Sequence, residues 1–456
     1  MAKKKEEKTL EKADKMEKLL QMLDDEKKLA EKNDEYLSIG MLDDFKEIKR
    51  ENYRFSSILG VDLNICGFKK GTFNVIYGDN SSGKTTIALS AIEGIQMQEP
   101  EAIILYVDTE GTVTDDYLAR FPFLNRERIL FLKEAVAEKC VDKMIEYVEA
   151  NVIDYIIMDS SDTLISKKEL EKDMDQAVIA EKARVFSRGL AKINPYMYKN
   201  LLTMIIIQQE RIQFKGQFAV NGRSGGNALK FYPSTVLKTA PDTSMDITNS
   251  IGDIVIRGVK IKNEKSKVSQ PYRKTVSYIN VDSSIQMSID RFRELIDYGI
   301  NYGLIERKGA WYYLTDLSTG EVISANGANN LLSLLREKID LYTMLKMHIY
   351  SKGLQPEMFI VKFDGLKSML ERENELMKEK KIRLYKATGH EDKLNDMDKT
   401  KFEFSDDINP KTLLTADDYN KGNFILMSRE EQDVYLEARE KENLISEIKL
   451  VEGDDE

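Results

Sequence analysis

The sequence predicts an α/β protein built on a mostly parallel sheet with helices on both faces. Three observations predict it. Four short apolar runs, "FNVIYG", "AIILYVD", "DYIIMDS" and "LLTMIIIQQ", each close on polar residues. Helical segments such as "TTIALSAIEGIQ" and "AEKARVFSRGLAKI" lie between them. A glycine-rich turn, "GDNSSGKT", joins the first run to the first helix. Apolar runs of this length belong to strands buried on both faces, as parallel sheets require. Ligands of such sheets sit at the carboxyl ends of the strands, so the polar residues that close the runs are the first site candidates.

Taken in chain order, residues 1–45 are rich in Lys, Glu and Asp, with Met16, Leu19, Leu20 and Leu23 on one helical stripe. Such a stripe marks a solvated helix with a short apolar face or a helix that docks on another subunit. "YLSIGML" (36–42) follows as a short strand. Residues 46–284 hold the alternating pattern. Residues 285–340 read as a small α/β module with the only tryptophan, Trp311, and residues 341–456 as a charged, mostly helical extension ending in "VEGDDE".

Composition narrows the class. No apolar run approaches the roughly 18 residues of a membrane span, and "MAKKKEEKTLEKADK" lacks the apolar centre of a secretory signal. A cytoplasmic protein is expected. Cys66 and Cys140, like His348 and His390, stand isolated, which argues against a structural zinc or a disulfide framework. The net charge of −10 excludes a surface that is basic throughout. Salt screens charges beyond roughly 10 Å, so local basic segments act on their own.

"GDNSSGKT" is G-x-x-x-x-G-K-[ST] after a strand and opening a helix, the context this phosphate-binding loop needs. Gly78 and Gly83 permit the backbone turns that aim consecutive N–H groups of Asp79, Asn80, Ser81 and Ser82 at a phosphate, and the helix start adds positive potential. Lys84 is placed for the β and γ phosphates, Thr85 for Mg²⁺ and Thr86 for the loop's end. Asp159, closing "YIIMD", is the strand-end acid expected to help hold Mg²⁺; a buried carboxylate needs such a partner. Glu110 or Asp108, both closing "AIILYVDTE", is the candidate base that orients attacking water. Gln208 or Gln209 ends the fourth run as a candidate γ-phosphate sensor. ATP and Mg²⁺ are therefore the expected cofactors.

From Arg211 to Lys230 there are four basic residues and no acidic one, interleaved with Phe214 and Phe218. Basic groups neutralise phosphates, and aromatic side chains stack on or wedge between bases. Gly225 and Gly226 let backbone N–H groups approach a phosphate. The segment fits a polymer of nucleotides.

"GDNSSGKTT", "YVDTEG", the Arg184 helix, "GGNALKFY" and "KGAWYYL", in this order over roughly residues 36–335, resemble the bacterial RecA recombinase family. The resemblance implies a RecA-type ATPase that forms helical filaments on single-stranded DNA and exchanges strands with a homologous duplex. It implies Glu110 as the catalytic glutamate, Tyr117 as the aromatic that stacks on adenine, Asp159 as the second-strand acid and Gln209 as the γ-phosphate sensor. Residues 171–180 match the first DNA loop, with Ile179 as its wedge and Arg184 after it as a phosphate contact. Residues 210–226 match the second, with Arg211, Phe214, Arg223, Gly225 and Gly226, followed by Asn227, as its DNA-contacting positions. Lys262 and either Lys267 or Lys265 match the two lysines offered to a neighbour's ATP. The sequence departs from the pattern where Thr114 stands at the adenine-side acid, and the lysine segment is about three residues longer. Such spacing points to a divergent, phage-type member. A hexameric helicase or other closed-ring motor would use the same nucleotide residues, and a non-catalytic mediator would keep them as a ligand site.

Overall fold

A computed structural model describes residues 18–29, 32, 52–171, 181–215, 218–223, 228–282, 287–316, 320–387, 393, 401–405 and 413. The chain divides into two units, Met1–Arg50 and Glu51–Glu456. In the first, helix α1 covers residues 18–29, with Leu19, Leu20 and Met22 exposed. Met16 and the strand expected at 36–42 lie outside the described residues.

The second unit opens with β1 (Tyr53–Arg54), α2 (Leu59–Ile65) and β2 (Phe68–Lys69), then builds the sheet. In order come β3 (Phe73–Gly78), α3 (Lys84–Gln98), β4 (Ile104–Asp108), α4 (Asp115–Leu118), β5 (Ile129–Leu132), α5 (Ala137–Glu149), β6 (Tyr155–Asp159), α6 (Lys167–Glu171) and α7 (Glu181–Lys199). β7 (Thr203–Lys215), β8 (Phe218–Arg223), α8 (Ala228–Phe231), β9 (Thr235–Thr248), β10 (Ile254–Ser266) and β11 (Lys274–Asn280) complete it. The spatial order is β11-β10-β9-β3-β7-β6-β4-β5, with β8 paired to β7. β9 through β5 run parallel, and β10 and β11 add an antiparallel flank. All four apolar runs are strands of the parallel part, as expected.

Alternation along these strands makes two cores. Ile76, Ile104, Tyr106, Ile157 and Ile205 share one cluster with Ile87, Leu89 and Ile92 of α3. Val75, Leu105, Ile156, Met158 and Ile206 share the other with residues of α5 and α7, including Val141, Leu190 and Ile193. α5 and α7 are amphipathic and keep their polar faces outward. α3 is different: its buried residues go all the way round, Ser90, Glu93 and Gln96 among them. A helix buried on all sides needs a cover on its outer face, and the carboxy-terminal helices supply it.

That cover belongs to the last part of the chain. α9 (Arg291–Asn301) and α10 (Ala328–Glu337) pack with an antiparallel sheet of β12 (Ile305–Lys308), β13 (Trp311–Thr315) and β14 (Val322–Asn326). α11 (Ile339–Gly353) and α12 (Pro356–Ala387) follow. They share one apolar core with Phe55, Leu59 and Leu63 around α2 and with Met97 of α3. Through this core runs a chain of buried charges. Arg291 Nη2 donates to Glu93 Oε2 at 2.7 Å, Arg291 Nε lies 3.5 Å from Glu373 Oε1, and Lys346 Nζ lies 2.7 Å from Glu373 Oε2. Each of these four side chains is at most 1% exposed. Lys346 also donates to Ser57 O, and Ser57 Oγ donates to Glu373. Burial raises the Glu93 carboxyl and lowers the Lys346 ammonium from their usual ranges, so each charge depends on its partners. No described helix is long and apolar enough to cross a membrane.

Candidate nucleotide site and adjoining hairpin

The loop from β3 to α3 is shaped by its glycines. Gly83 has φ +81°, and a Cβ on Gly78 would sit 2.1 Å from Thr239 O, so neither position accepts a larger residue without movement. Asn80 to Thr86, Glu110, Tyr117, Asp159 and Gln209 line one cavity of about 230 Å³ at the carboxyl ends of the strands. All eleven of these are nucleotide-site positions read from the sequence, and Gly78 and Asp79 take part through their carbonyls, which hold Lys84. Lys84 Nζ donates to Gly78 O at 3.1 Å and to Asp79 O at 2.6 Å. Burial lowers its affinity for the proton, a loss that the carboxylates of Glu110 and Asp159 partly offset.

Asp159 closes β6, 2% exposed. Its Oδ2 accepts from Thr85 Oγ1 at 2.7 Å and from Tyr106 Oη at 2.9 Å. Burial pushes the carboxyl up to about 6 against those two donors. A buried acid held by hydroxyls next to a phosphate loop fits a hydrated divalent cation, which favours oxygen ligands. The inward loop and Lys84 fit a triphosphate.

β4 ends at Asp108, and the chain turns before Glu110, so the two acids do not continue one strand face. Asp108 is buried and accepts from the backbone N–H groups of Gly111 and Val113. Its carboxylate fixes the turn. Glu110, presented by that turn, reaches the cavity: Oε1 accepts from Ser160 Oγ at 2.7 Å and from Gln209 Nε2 at 3.2 Å. Gln208 is fully buried and points to Ser161 Oγ, 3.4 Å away. Tyr117 shares a 2.8 Å hydrogen bond with Thr86 Oγ1 and lies edge-on to Phe121, and burial raises its hydroxyl. Thr114 caps α4 by accepting from Tyr117 N, while Asp115 is exposed and paired with Arg126. At the departure noted from the sequence, a helix cap has replaced an acid.

Gln209 opens a segment that the sequence presents as a loop and the structure forms as a hairpin. β7 runs on to Lys215 and pairs antiparallel with β8, Glu210 opposite Arg223, Arg211 opposite Gly222 and Phe214 opposite Ala219. Alternating polar and apolar residues from Arg211 to Lys215 satisfy the strand period, which charge counting does not reveal. The hairpin base is anchored: Gln209 N donates to Asp162 Oδ2 at 2.7 Å, and Glu210 pairs with Lys238 at 2.5 Å. Arg184 is exposed on α7, 3.5 Å from Glu181. Ile179, Gly225, Gly226 and Asn227 lie outside the described residues.

On β10, Lys262 Nζ donates to Glu264 Oε1 at 3.1 Å, and Tyr77 Oη holds the other oxygen of that acid. Lys265 donates to the carbonyls of Lys230 and Phe231, at the end of α8. Lys267 is exposed. Sequence reasoning missed Tyr106 and Ser160, which touch Asp159 and Glu110. Both lie in apolar strand runs of the sequence, where one reads as apolar filler and the other as a strand end.

Comparison with known proteins agrees with this geometry. A family model described as the RecA N-terminal domain matches residues 23–286. "Protein RecA" of Mycoplasma mobile is 31% identical over 319 residues, covering 69% of this chain and 91% of the relative. "Protein RecA" of Pseudomonas fluorescens is 32% identical over 302 residues, 65% of this chain and 81% of the relative. That of Malacoplasma penetrans is 28% identical over 298 residues, 65% and 86% respectively.

Proposed function

The chain belongs to the RecA family of recombinases, and from that premise we propose that it is a DNA-dependent ATPase that polymerises on single-stranded DNA and exchanges strands with a homologous duplex. One observation carries this beyond family membership: Glu110, at the nucleotide cavity, is hydrogen-bonded to Gln209, the residue directly before Glu210, where the pairing of the basic hairpin begins. Nucleotide chemistry and DNA grip meet at one bond.

The steps follow from the residues. The loop from Gly78 to Thr86 wraps the phosphates, and Lys84 turns from its two carbonyls to the β and γ oxygens. Thr85 and Asp159 would hold Mg²⁺, which when bound neutralises charge developing on the phosphates. Tyr117 receives adenine. Glu110 orients water for attack on the γ-phosphate, and Gln209 exchanges Glu110 for that phosphate. Since Gln209 leads into the hairpin, a bound γ-phosphate orders the strands carrying Arg211, Phe214 and Arg223, and hydrolysis releases them. Residues around Ile179, Arg184 and Gly225 to Asn227 complete the DNA contacts.

Domain roles follow the same scheme. Residues 46–284 form the engine and DNA grip, and residues 1–45 pack on the next protomer. Lys262 and Lys267 reach that protomer's ATP, with Lys265 committed to α8. Residues 285–340 form the small domain, and residues 341–456 extend it. A head-to-tail contact of this kind does not close and so grows into a helix. The place of action is the cytoplasm.

Electron microscopy of the purified chain with single-stranded DNA and a nonhydrolysable ATP analogue is expected to show helical filaments, and DNA to accelerate ATP turnover. Closed rings without filaments would assign the chain to the translocating motors instead. Turnover indifferent to DNA would remove the ATPase from the recombination cycle.

Arg211→Ala is expected to weaken single-stranded DNA binding on every sequence and to reduce the slope of log affinity against log salt by about 0.7, the share of one phosphate contact. A titration at several salt concentrations checks it; an unchanged slope would remove Arg211 from the interface.

A further inference from the structure

The mechanism above gives Tyr106 no task, although its hydroxyl touches the acid that is to hold the metal. Tyr106 lies inside β4, opposite Ile157 of β6, and is 1% exposed. A buried phenol must place its proton on an acceptor. Here the acceptor is Asp159 Oδ2, 2.9 Å away, which also accepts from Thr85. The direction of the hydroxyl is set by packing: the ring stacks on Phe131 of β5, with centroids 5.5 Å apart and planes 4° from parallel. Phenylalanine would fill the same space.

Two donors on one oxygen stop the carboxylate from rotating. The second oxygen is then held in one direction as well, on a residue that lines the same cavity as Thr85. In a cation site, partners that orient the ligand matter nearly as much as the ligand. We propose that Tyr106 is a positioning residue for the metal acid: its hydroxyl locks Asp159 so that the water shell of the Mg²⁺ carried in with ATP meets an acceptor already aligned. The proposal rests on the assignment of Asp159 to the metal made above. It adds a link from the outer strand to the metal, since Phe131, 39% exposed on β5, supports the ring that supports the acid.

The test uses the full-length chain and a fluorescent, nonhydrolysable ATP analogue, whose binding is titrated with Mg²⁺. Tyr106→Phe removes one oxygen and keeps the stack. It is expected to raise the Mg²⁺ concentration at half-effect by about tenfold, the lower end for loss of an orienting partner. Nucleotide affinity in EDTA and the thermal midpoint without nucleotide should stay at parental values. Equal losses in EDTA and in Mg²⁺, with a lowered midpoint, would make the hydroxyl a structural group and overturn the proposal. Asp159→Asn is the companion variant, expected to shift the Mg²⁺ dependence further. If Asp159→Asn shifts it and Tyr106→Phe does not, the role of Tyr106 alone falls. If neither variant does, the metal assignment of Asp159 falls, and the proposal with it.

Discussion

Glu110→Gln is expected to lower DNA-stimulated ATP turnover by at least about a hundredfold, the usual contribution of a positioned general base, while ATP analogue binding and filament assembly survive. The change is nearly isosteric. Glu110 Oε1 accepts from Ser160 and Gln209, and a glutamine carbonyl oxygen at the same place accepts from both, so the turn after β4 and the hairpin base keep their ties. Only the capacity to take a proton from water disappears. Phosphate release under saturating DNA gives the rate, and analogue fluorescence gives the binding. A loss of less than about tenfold would mean that another group takes the proton. Asp108 is poorly placed to do so, with its carboxylate committed to two backbone donors of the turn.

Glu373→Ala is expected to destabilise the second unit by about 3–5 kcal/mol, the cost of breaking a buried charge pair from one side. Removing this one carboxylate leaves Lys346 with hydroxyl and carbonyl partners only, and leaves Arg291 with Glu93 alone. Unfolding in urea measures the loss. Glu373→Gln, which keeps an acceptor for Lys346 and Ser57, should lose less. A midpoint unmoved by either variant would show that water already screens the chain of charges. Because Glu93 sits on α3 and also accepts from Phe123 N, beyond α4, loosening the chain should weaken ATP affinity as well as stability.

These two sites differ in how visible they are in the residue order. β3, β4, β6 and the start of β7 are legible because each is a run of large apolar residues with no competing period, and the phosphate loop because its spacing has one structural use. β9, β10 and β11 are not, because segments such as "VLKTAPDTSMD" and "VKIKNEKSK" mix charge into every few positions, as an antiparallel flank and the parallel strand that borders it permit at the sheet's edge. The burial of α11, a helix the pattern does suggest, hides for the opposite reason. Lys346, Tyr350 and Thr343 suggest a surface in "DLYTMLKMHIYSKG", yet all three are buried, paired with residues far away in sequence. Charge predicts exposure only when no partner is folded against it. Among the site residues, those named by a local motif lie round one cavity. Tyr106 and Ser160 escape because their importance comes from register across strands, which no local pattern encodes.

On the function proposed above, Lys84 would change partners when ATP binds. Its ammonium already has two carbonyl partners within the protein, so a nucleotide does not find the cation idle; it must outbid those oxygens. What the lysine contributes to ATP affinity is thus a difference between two sets of partners. On the proposed function, a ligand too short to reach it would leave the lysine where it was and gain nothing from it, which would make this side chain a gauge of phosphate chain length as much as a source of attraction.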